Sequence, residues 1–127
     1  MQRPLVARLS VIDLDGFPHT VPVSFVLDGD DVIVTTERRT RKVAYIRANP
    51  QGALTVGGDY ADGAGYLLKG TYHVEEDPGL GWLRHTAAHY HPDDPVGAER
   101  SVAAFAERDM IILRLKVLKV IQVYDGS

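Results

Sequence analysis

Alternation of apolar and polar residues predicts strands in the first third of the chain. Residues 5–13 alternate, and Asp15-Gly16 supplies a dipeptide preferred in tight hairpin turns. The return strand over residues 19–28 places Val21, Val23, Phe25 and Leu27 on one face and Thr20, Pro22, Ser24 and Val26 on the other. A second turn leads into the β-branched run 32–36. The pattern predicts a three-stranded antiparallel meander in which Pro22, which cannot donate to a ladder, marks an edge, a bulge or a ligand approach.

A short helix is predicted after this run. Thr40 is a candidate N-cap because its hydroxyl can accept a hydrogen bond from a first-turn N–H group. Val43 and Ile46 lie three residues apart and so share one helical face. Asn49-Pro50 ends the helix, since the residue before a proline is pushed out of the α region.

The second half of the chain combines strands with two further helices. Residues 52–60 and 65–76 read as strands, and Gly70 inside the second indicates the close approach of a backbone or a ligand. Asp77-Pro78 opens a helix that runs to about Tyr90, and Asp94-Pro95 opens a shorter one. The buried stripe of the shorter helix is predicted to be Val102, Phe105 and Ala106. Residues 110–124 read as strand, with Arg114, Lys116 and Lys119 pointing to solvent.

Together these elements predict a mainly β fold, a small antiparallel β-barrel with helical decoration. One short helix follows the third strand, and two helices precede the last strand. With 127 residues, we expect a single domain over 1–127. A net charge of −3 gives no reason to expect a nucleic acid or membrane partner. The N-terminus shows no signal-peptide pattern, which favours a cytoplasmic protein. The lack of cysteine excludes disulfides, thiolate nucleophiles and thiolate metal sites.

A cationic cluster at the start of the first helix is the main candidate site. Its members are Arg38, Arg39, Arg41 and Lys42, at a helix end that already carries partial positive charge. Cations and unpaired N–H groups that converge form an anion site, and phosphate is the expected occupant. Thr35 and Thr36 would add hydroxyl groups. The alternative is a basic turn held apart by water.

Histidines on the next helix raise a metal hypothesis. His85 and His89 lie four residues apart, which places both imidazoles on one helical face. A site would need a third ligand such as His91 or Asp93. The alternative is a polar helix face with solvated histidines, which we favour, so no metal site is predicted.

The order of these elements resembles the pyridoxamine-phosphate-oxidase-like split-barrel flavoproteins over nearly the whole chain. It is most similar to their small actinobacterial-type branch, which uses FMN or a deazaflavin coenzyme. The marks are Asp15-Gly16-Phe17-Pro18, Pro22-Val23-Ser24-Phe25, Thr35-Thr36, Arg41-Lys42-Val43 with Ile46 and Asn49-Pro50, and the strand from Gly65-Tyr66 to Gly70. The run that contains Arg41, Ile46 and Asn49-Pro50 is the most specific of these marks.

The resemblance implies a split antiparallel β-barrel, a homodimer and two flavin sites in clefts at the dimer interface. It implies that Arg41 and Lys42 hold the phosphate and that Thr36 or Thr40 adds a hydroxyl. The backbone of Val23, Ser24 and Phe25 would line the isoalloxazine ring, and Gly65 or Tyr66 would reach the cofactor from the partner subunit. FMN ranks first as cofactor. The alternative is the deazaflavin coenzyme F-420, whose carboxylate tail would give Arg38 and Arg39 a role.

The function implied is that of a flavin-dependent oxidoreductase that transfers hydride to or from a small organic substrate. Alternatives are a non-catalytic flavin- or haem-binding split barrel and a structural dimerisation domain. No catalytic residue is assigned. Tyr66 and His73 are candidate proton donors that are equally suited to packing or to the strand surface. The longer C-terminal region of the vitamin-processing oxidases is lacking, so pyridoxamine phosphate is not the expected substrate.

Overall fold

The computed structural model describes residues 7–57 and 65–124, in which seven strands form one antiparallel sheet beside three α-helices. In chain order the elements are β1 (Ala7–Ile12), β2 (Pro18–Val23), β3 (Val26–Asp28), β4 (Asp31–Glu37), α1 (Arg41–Ala48), β5 (Gln51–Gly57), β6 (Gly65–Glu76), a 3-10 turn (Pro78–Leu80), α2 (Gly81–Tyr90), α3 (Pro95–Ala106) and β7 (Met110–Tyr124). The strand end predicted at 58–60, the loop at 61–64 and the strand start at 5–6 lie outside the described residues. Among the described helices, none has the length and apolar character needed to cross a membrane.

The sheet closes on itself as a split barrel. Its strand order is β2-β1-β5-β6-β7-β4-β3, so β2 and β3 lie at opposite edges. Only Ser24 and Phe25 separate these two strands along the chain. Three residue steps span at most about 11 Å, so the two edges must approach each other at this point. The predicted fold class is therefore confirmed.

The prediction of one return strand over 19–28 was wrong. The chain leaves the ladder at Ser24, and β2 pairs with β1 while β3 pairs with β4. The inward and outward faces change across the break: Val26 is 4% exposed and Leu27 is 60% exposed, the reverse of the prediction. The meander was wrong for the same reason, because the chain crosses from one sheet edge to the other. Pro22 does lie in an edge strand, which is one of the predicted alternatives.

Most of the core lies inside the barrel. Its buried residues come from five strands, β1, β4, β5, β6 and β7, among them Leu9, Leu54 and Leu113, all with 0% exposure. Val43 and Ile46 of α1 pack into the same cluster, as predicted, and each such burial contributes about 1.5–3 kcal/mol. Asn49 ends α1 in extended conformation, also as predicted. The phosphate-site candidates at the start of α1 therefore rest on a rigid support.

Gly70 marks an irregularity where β6 meets β7. The register shifts between Lys69 and Gly70, and a Cβ atom at position 70 would collide with the carbonyl of Lys116. The predicted close approach at Gly70 is thus confirmed, and the approaching group is backbone. Two residues on, the buried Tyr72 hydroxyl donates to the carbonyl of Ala53 at 2.7 Å, and burial raises the pKa of this phenol.

The two helices between β6 and β7 carry a small core of their own. Leu83, Ala87 and Val102 form this cluster, which is separate from the barrel core. Trp82 instead packs on Val26, Ile33 and Ile112 of the barrel. Ala106 was predicted to be buried but is exposed, because it lies at the last turn of α3 beyond the contact with α2.

A carboxylate accepts backbone N–H groups at the start of each of these helices, and the arrangement at Asp77 differs from the prediction. Asp94 accepts the N–H of Gly97 at 2.9 Å, as expected for the N-cap of α3. Asp77 does not start a helix directly, since a 3-10 turn with left-handed Gly79 and Leu80 intervenes. Its carboxylate nonetheless accepts the N–H groups of Trp82 at 2.9 Å and Leu83 at 3.0 Å.

Arg114 was predicted to face solvent, and this was wrong. Its side chain is only 15% exposed and makes ion pairs with Asp28, Asp31 and Glu75 at 2.8–3.0 Å. The strand β7 lies between β6 and β4, so acidic side chains of both neighbours reach it. Lys116 is exposed and bonds Asp31 at 2.8 Å.

Candidate ligand-binding cavity

A cavity of about 410 Å³ lies between the barrel and the helical pair. This volume falls in the range of small-molecule sites. One wall, here called the barrel wall, comes from the end of β2, the end of β4 and the start of α1. Its residues are Pro22, Val23, Ser24, Thr35, Thr36, Glu37, Thr40 and Lys42. Six of the sequence-predicted cofactor residues therefore converge: Val23, Ser24, Thr35, Thr36, Thr40 and Lys42.

The opposite wall, here called the helical wall, comes mainly from α2 and α3. Helical spacing brings Leu83, Thr86, Ala87 and Tyr90 to one face of α2, because they lie at positions i, i+3, i+4 and i+7. The remaining residues are His91, Ser101, Phe105 and Met110. None of these residues was predicted from the sequence to contact the cofactor.

Lys42 gives the barrel wall its charge. Burial lowers the pKa of its ammonium group, and the nearby Glu37 carboxylate partly opposes this. Within residues 7–57 and 65–124 the ammonium makes no ion pair. A cation partly withdrawn from water and left unpaired favours the binding of an anion.

Two threonine hydroxyls lie beside this cation. Thr36 is buried, and its hydroxyl oxygen is 3.4 Å from that of Thr40. Thr40 occupies the N-cap position of α1, but the prediction that its side chain caps the helix was wrong. Its hydroxyl donates to the Glu37 carbonyl at 3.0 Å instead. Since α1 has no acidic residue in its first turn, the N-terminus of this helix keeps its partial positive charge.

Arg38 and Arg41 do not line the cavity. The guanidinium of Arg38 donates to both carboxylate oxygens of Glu76 at 2.8 and 2.6 Å and to Asp109 at 2.8 Å. These bonds raise the pKa of Arg38 and lower the pKa of both carboxyl groups. Arg41 is exposed at the start of α1. Their roles in cofactor binding remain predictions.

Phe25, Gly65 and Tyr66 also lie outside the cavity lining. The backbone N–H of Phe25 donates to the Tyr90 hydroxyl at 3.0 Å, and its side chain packs on the barrel core. Gly65 and Tyr66 begin β6, where Tyr66 is 41% exposed. Their contact with the cofactor of a partner subunit remains a prediction, as does a catalytic role for Tyr66 or for the exposed His73.

Thr86 is the unusual member of the helical wall. Its side chain is 6% exposed, and its hydroxyl oxygen is buried without a hydrogen-bond partner among the described residues. The available sequence signal was a hydroxyl residue within the apolar face formed by Leu83, Ala87 and Tyr90. Such a position is unfavourable for a buried polar group unless a partner is supplied.

The histidines of α2 are spread rather than clustered. His85 and His89 are exposed and make edge-to-face ring contacts with Trp82 at 5.8 Å and Tyr90 at 5.2 Å. His91 lines the cavity. Within the described ranges no three His, Asp or Glu side chains are grouped closely enough to hold a metal ion.

The cavity as a whole fits an amphiphilic ligand with one anionic group. Lys42 provides a cation and Thr36 a hydroxyl that can donate to a phosphate, whereas the proton of the Thr40 hydroxyl is donated to the Glu37 carbonyl. Val23, Leu83, Ala87 and Phe105 provide apolar surface for a ring system. The unpaired Thr86 hydroxyl offers one more polar contact. A flavin nucleotide, with its phosphate, hydroxylated linker and aromatic ring, matches this set of groups.

A known protein family matches nearly the whole chain. The family described as pyridoxamine 5'-phosphate oxidase matches residues 1–123. No protein of curated function matches the chain significantly.

Solved structures with the same fold are distant in sequence. An "F420 Reductase" is 20% identical, with 94% of this chain and 90% of that chain covered and a TM-score of 0.73. A putative pyridoxamine 5'-phosphate oxidase from Listeria innocua is 18% identical, with 96% and 89% covered and a TM-score of 0.68. General Stress Protein 26 from Bacillus anthracis is 18% identical, with 94% and 84% covered and a TM-score of 0.69. At these identities the likeness shows the fold.

Proposed function

Because the chain belongs to the pyridoxamine 5'-phosphate oxidase family, we propose that it is an oxidoreductase that binds a flavin-type coenzyme in the cavity between barrel and helices. The observation that carries this proposal is Lys42, a partly buried cation without an ion-pair partner among the described residues, beside two hydroxyl groups. The coenzyme would supply hydride transfer to or from a small organic substrate. The chain's own residues bind and orient it.

The barrel wall has two parts in this proposal. Lys42 and the Thr36 hydroxyl hold the phosphate, Thr40 joins them once its hydroxyl turns from the Glu37 carbonyl, and Thr35 lies next to them on β4. Arg41, one residue before Lys42, adds positive potential from the exposed side of the helix start. The segment Val23-Ser24 borders the ring, at the place where β2 ends and, from Ser24 on, the backbone leaves the ladder.

FMN is the first candidate and the deazaflavin coenzyme F-420 the alternative. Both carry the phosphate that the barrel wall suits. Arg38 and Arg39 were predicted to contact the carboxylate tail of the deazaflavin, but Arg38 is engaged with Glu76 and Asp109. Arg39 is exposed. The structural likeness to an F420 reductase supports keeping the alternative.

A homodimer is part of the same proposal. Leu27, Leu118 and Val120 are 60%, 77% and 60% exposed and border one shallow hollow together with Leu68 and Val117. Apolar surface of this kind on a small protein is typical of an interface. The cytoplasmic location remains a prediction.

The test is a fluorescence titration of cofactor-free protein with FMN and, separately, with coenzyme F-420. We expect the wild type to bind at least one, and Lys42→Met to weaken binding about 10- to 100-fold through loss of a charge-assisted bond. Arg100→Met is the matched control, since it removes one exposed cation from α3. Failure of the wild type to bind either coenzyme, or equal effects of the two variants, would contradict the proposal. A bound coenzyme that no donor reduces would favour the non-catalytic alternative.

A further inference from the structure

Thr86 lies in the middle of α2 with a hydroxyl that nothing in the described chain satisfies. The residue is 6% exposed, its oxygen is fully buried, and it lines the cavity opposite Lys42. A threonine in a helix often donates to the carbonyl one turn earlier, which satisfies its hydroxyl within the helix. No such bond is present here, and the residue lines the cavity, so a ligand group that reached this oxygen would find it unpaired.

The surroundings of Thr86 define what it can bind. Its neighbours on the helical wall, Leu83, Ala87 and Phe105, are apolar. No carboxylate, lysine or arginine side chain lines this wall, and His91, just past the end of α2, is its one residue that could carry a positive charge. A threonine hydroxyl can donate one hydrogen bond and can also accept. The group that matches is therefore an uncharged oxygen or nitrogen of a ligand whose remaining surface is apolar.

We propose that the Thr86 hydroxyl is a ligand-binding contact, which pairs with a neutral hydrogen-bonding group of the coenzyme while Lys42 holds the anionic group on the opposite wall. This inference rests on the proposed function, since it takes the cavity as the coenzyme site. It adds a specificity element on α2. A ligand with the same phosphate but no neutral polar group that reaches Thr86 leaves the buried hydroxyl unpaired and binds less tightly.

The decisive variant is Thr86→Val, which keeps the side-chain shape and removes the hydroxyl. Two quantities are measured on the whole protein: the thermal midpoint without ligand, and FMN affinity by fluorescence titration. We expect the thermal midpoint to stay equal or rise, because a buried unpaired hydroxyl is replaced by a methyl group. We expect FMN affinity to fall about 5- to 30-fold, and Thr86→Ser to retain most of it.

The pair Ala88→Thr and Ala88→Val is the control for helix propensity. Ala88 is exposed on the same helix and does not line the cavity. The two control proteins should bind FMN equally, which isolates the effect of the hydroxyl at position 86.

Two results would overturn the inference alone. One is a lower thermal midpoint of ligand-free Thr86→Val than the Ala88 pair explains, since the hydroxyl would then already have a partner. The other is unchanged FMN affinity in Thr86→Val while Lys42→Met loses affinity. A wild type that binds neither FMN nor coenzyme F-420 would instead overturn the proposed function, and this inference with it.

Discussion

The hydroxyl of Tyr90 accepts the backbone N–H of Phe25 at 3.0 Å, across 65 positions of sequence. Phe25 lies in the two-residue break between β2 and β3, where its N–H has no partner in a strand ladder. Tyr90 ends α2 and lines the cavity. One bond therefore joins the helical wall to the segment proposed to border the coenzyme ring.

Tyr90→Phe should destabilise the protein by about 1 kcal/mol, because the part-buried N–H of Phe25 loses its acceptor. Urea unfolding measures this free energy. Tyr45→Phe is the control: its ring contacts His19 edge-on at 5.1 Å, and its hydroxyl has no hydrogen bond within the described residues. That variant should change the free energy of unfolding by less than about 0.5 kcal/mol. Equal losses in both proteins would show that the bond to Phe25 contributes nothing.

FMN affinity should fall as pH rises toward the ordinary lysine pKa of 10.5. Burial lowers the pKa of Lys42, so its charge is lost at a lower pH than that of an exposed lysine, and the attraction to phosphate is lost with it. Titrations between neutral pH and about pH 10 measure this effect. Lys42→Met should remove the pH dependence, and a persistent slope in that variant would assign it to another group.

The free energy of unfolding of the ligand-free protein should rise with pH over the same range. Because the pKa of Lys42 is lower in the folded state than in the unfolded state, the unfolded chain binds the proton more tightly. The free energy of unfolding contributed by this group therefore rises as pH increases between the two pKa values. Urea unfolding of wild type and Lys42→Met across that range isolates the contribution, and identical slopes would contradict the burial of this ammonium.

Arg38→Gln should reduce the acid sensitivity of the fold. Arg38 lowers the pKa of Glu76 and Asp109, whose ordinary values are 4.5 and 3.8. Carboxyl groups with lowered folded-state pKa values stabilise the protein above their ordinary pKa, and this stability is lost as pH falls through the lowered values. The variant should lose less stability over that acidic range, and high salt should shrink the difference, since the groups are exposed.

The same variant tests the sequence-based role of Arg38 in cofactor binding. If its guanidinium serves only Glu76 and Asp109, FMN affinity at neutral pH should match the wild type. A loss of affinity confined to coenzyme F-420 would instead support the predicted contact with the carboxylate tail.

Gly70→Ala should destabilise the protein by about 2–3 kcal/mol, because the added methyl group collides with the Lys116 backbone in the centre of the sheet. Gly81→Ala is the matched control, for which the expected change in stability has the opposite sign. Gly81 has helical dihedral angles, and the nearest atom to an added Cβ is 3.9 Å away. It should stabilise α2 by about 0.5–1 kcal/mol. Thermal unfolding of both proteins measures these changes in stability. A Gly70→Ala protein as stable as the wild type would mean that the β6–β7 irregularity adapts easily.

Local patterns predicted the elements well because most strands here have one buried and one exposed face. They failed between β2 and β3, where alternation continues through Ser24 although the chain changes sheet edges. Nothing within a few residues of Ser24 distinguishes a continuous strand from a crossing. The difference arises from barrel closure, which involves strands far away in sequence.

The sequence indicated the candidate site only where its residues lie close together along the chain. Residues of the barrel wall are clustered along the chain, so the local cation and hydroxyl pattern found Thr36, Thr40 and Lys42. The helical wall is about fifty residues away, and only folding brings Thr86 and Tyr90 to it. Arg38 was predicted to contact the cofactor because a local pattern does not show its partner Asp109, which lies 71 positions away.

The separate core of α2 and α3 has a consequence for variation among proteins of this fold. Leu83, Ala87 and Val102 pack among themselves, and Trp82 anchors the pair to the barrel. Substitutions on the cavity side of 81–106 act on this small core, to which Leu83 and Ala87 belong, and leave the interior of the sheet untouched. If the cavity holds the coenzyme as proposed, ligand preference can change here while the barrel keeps its stability, and engineering of a new specificity should begin in this helical pair.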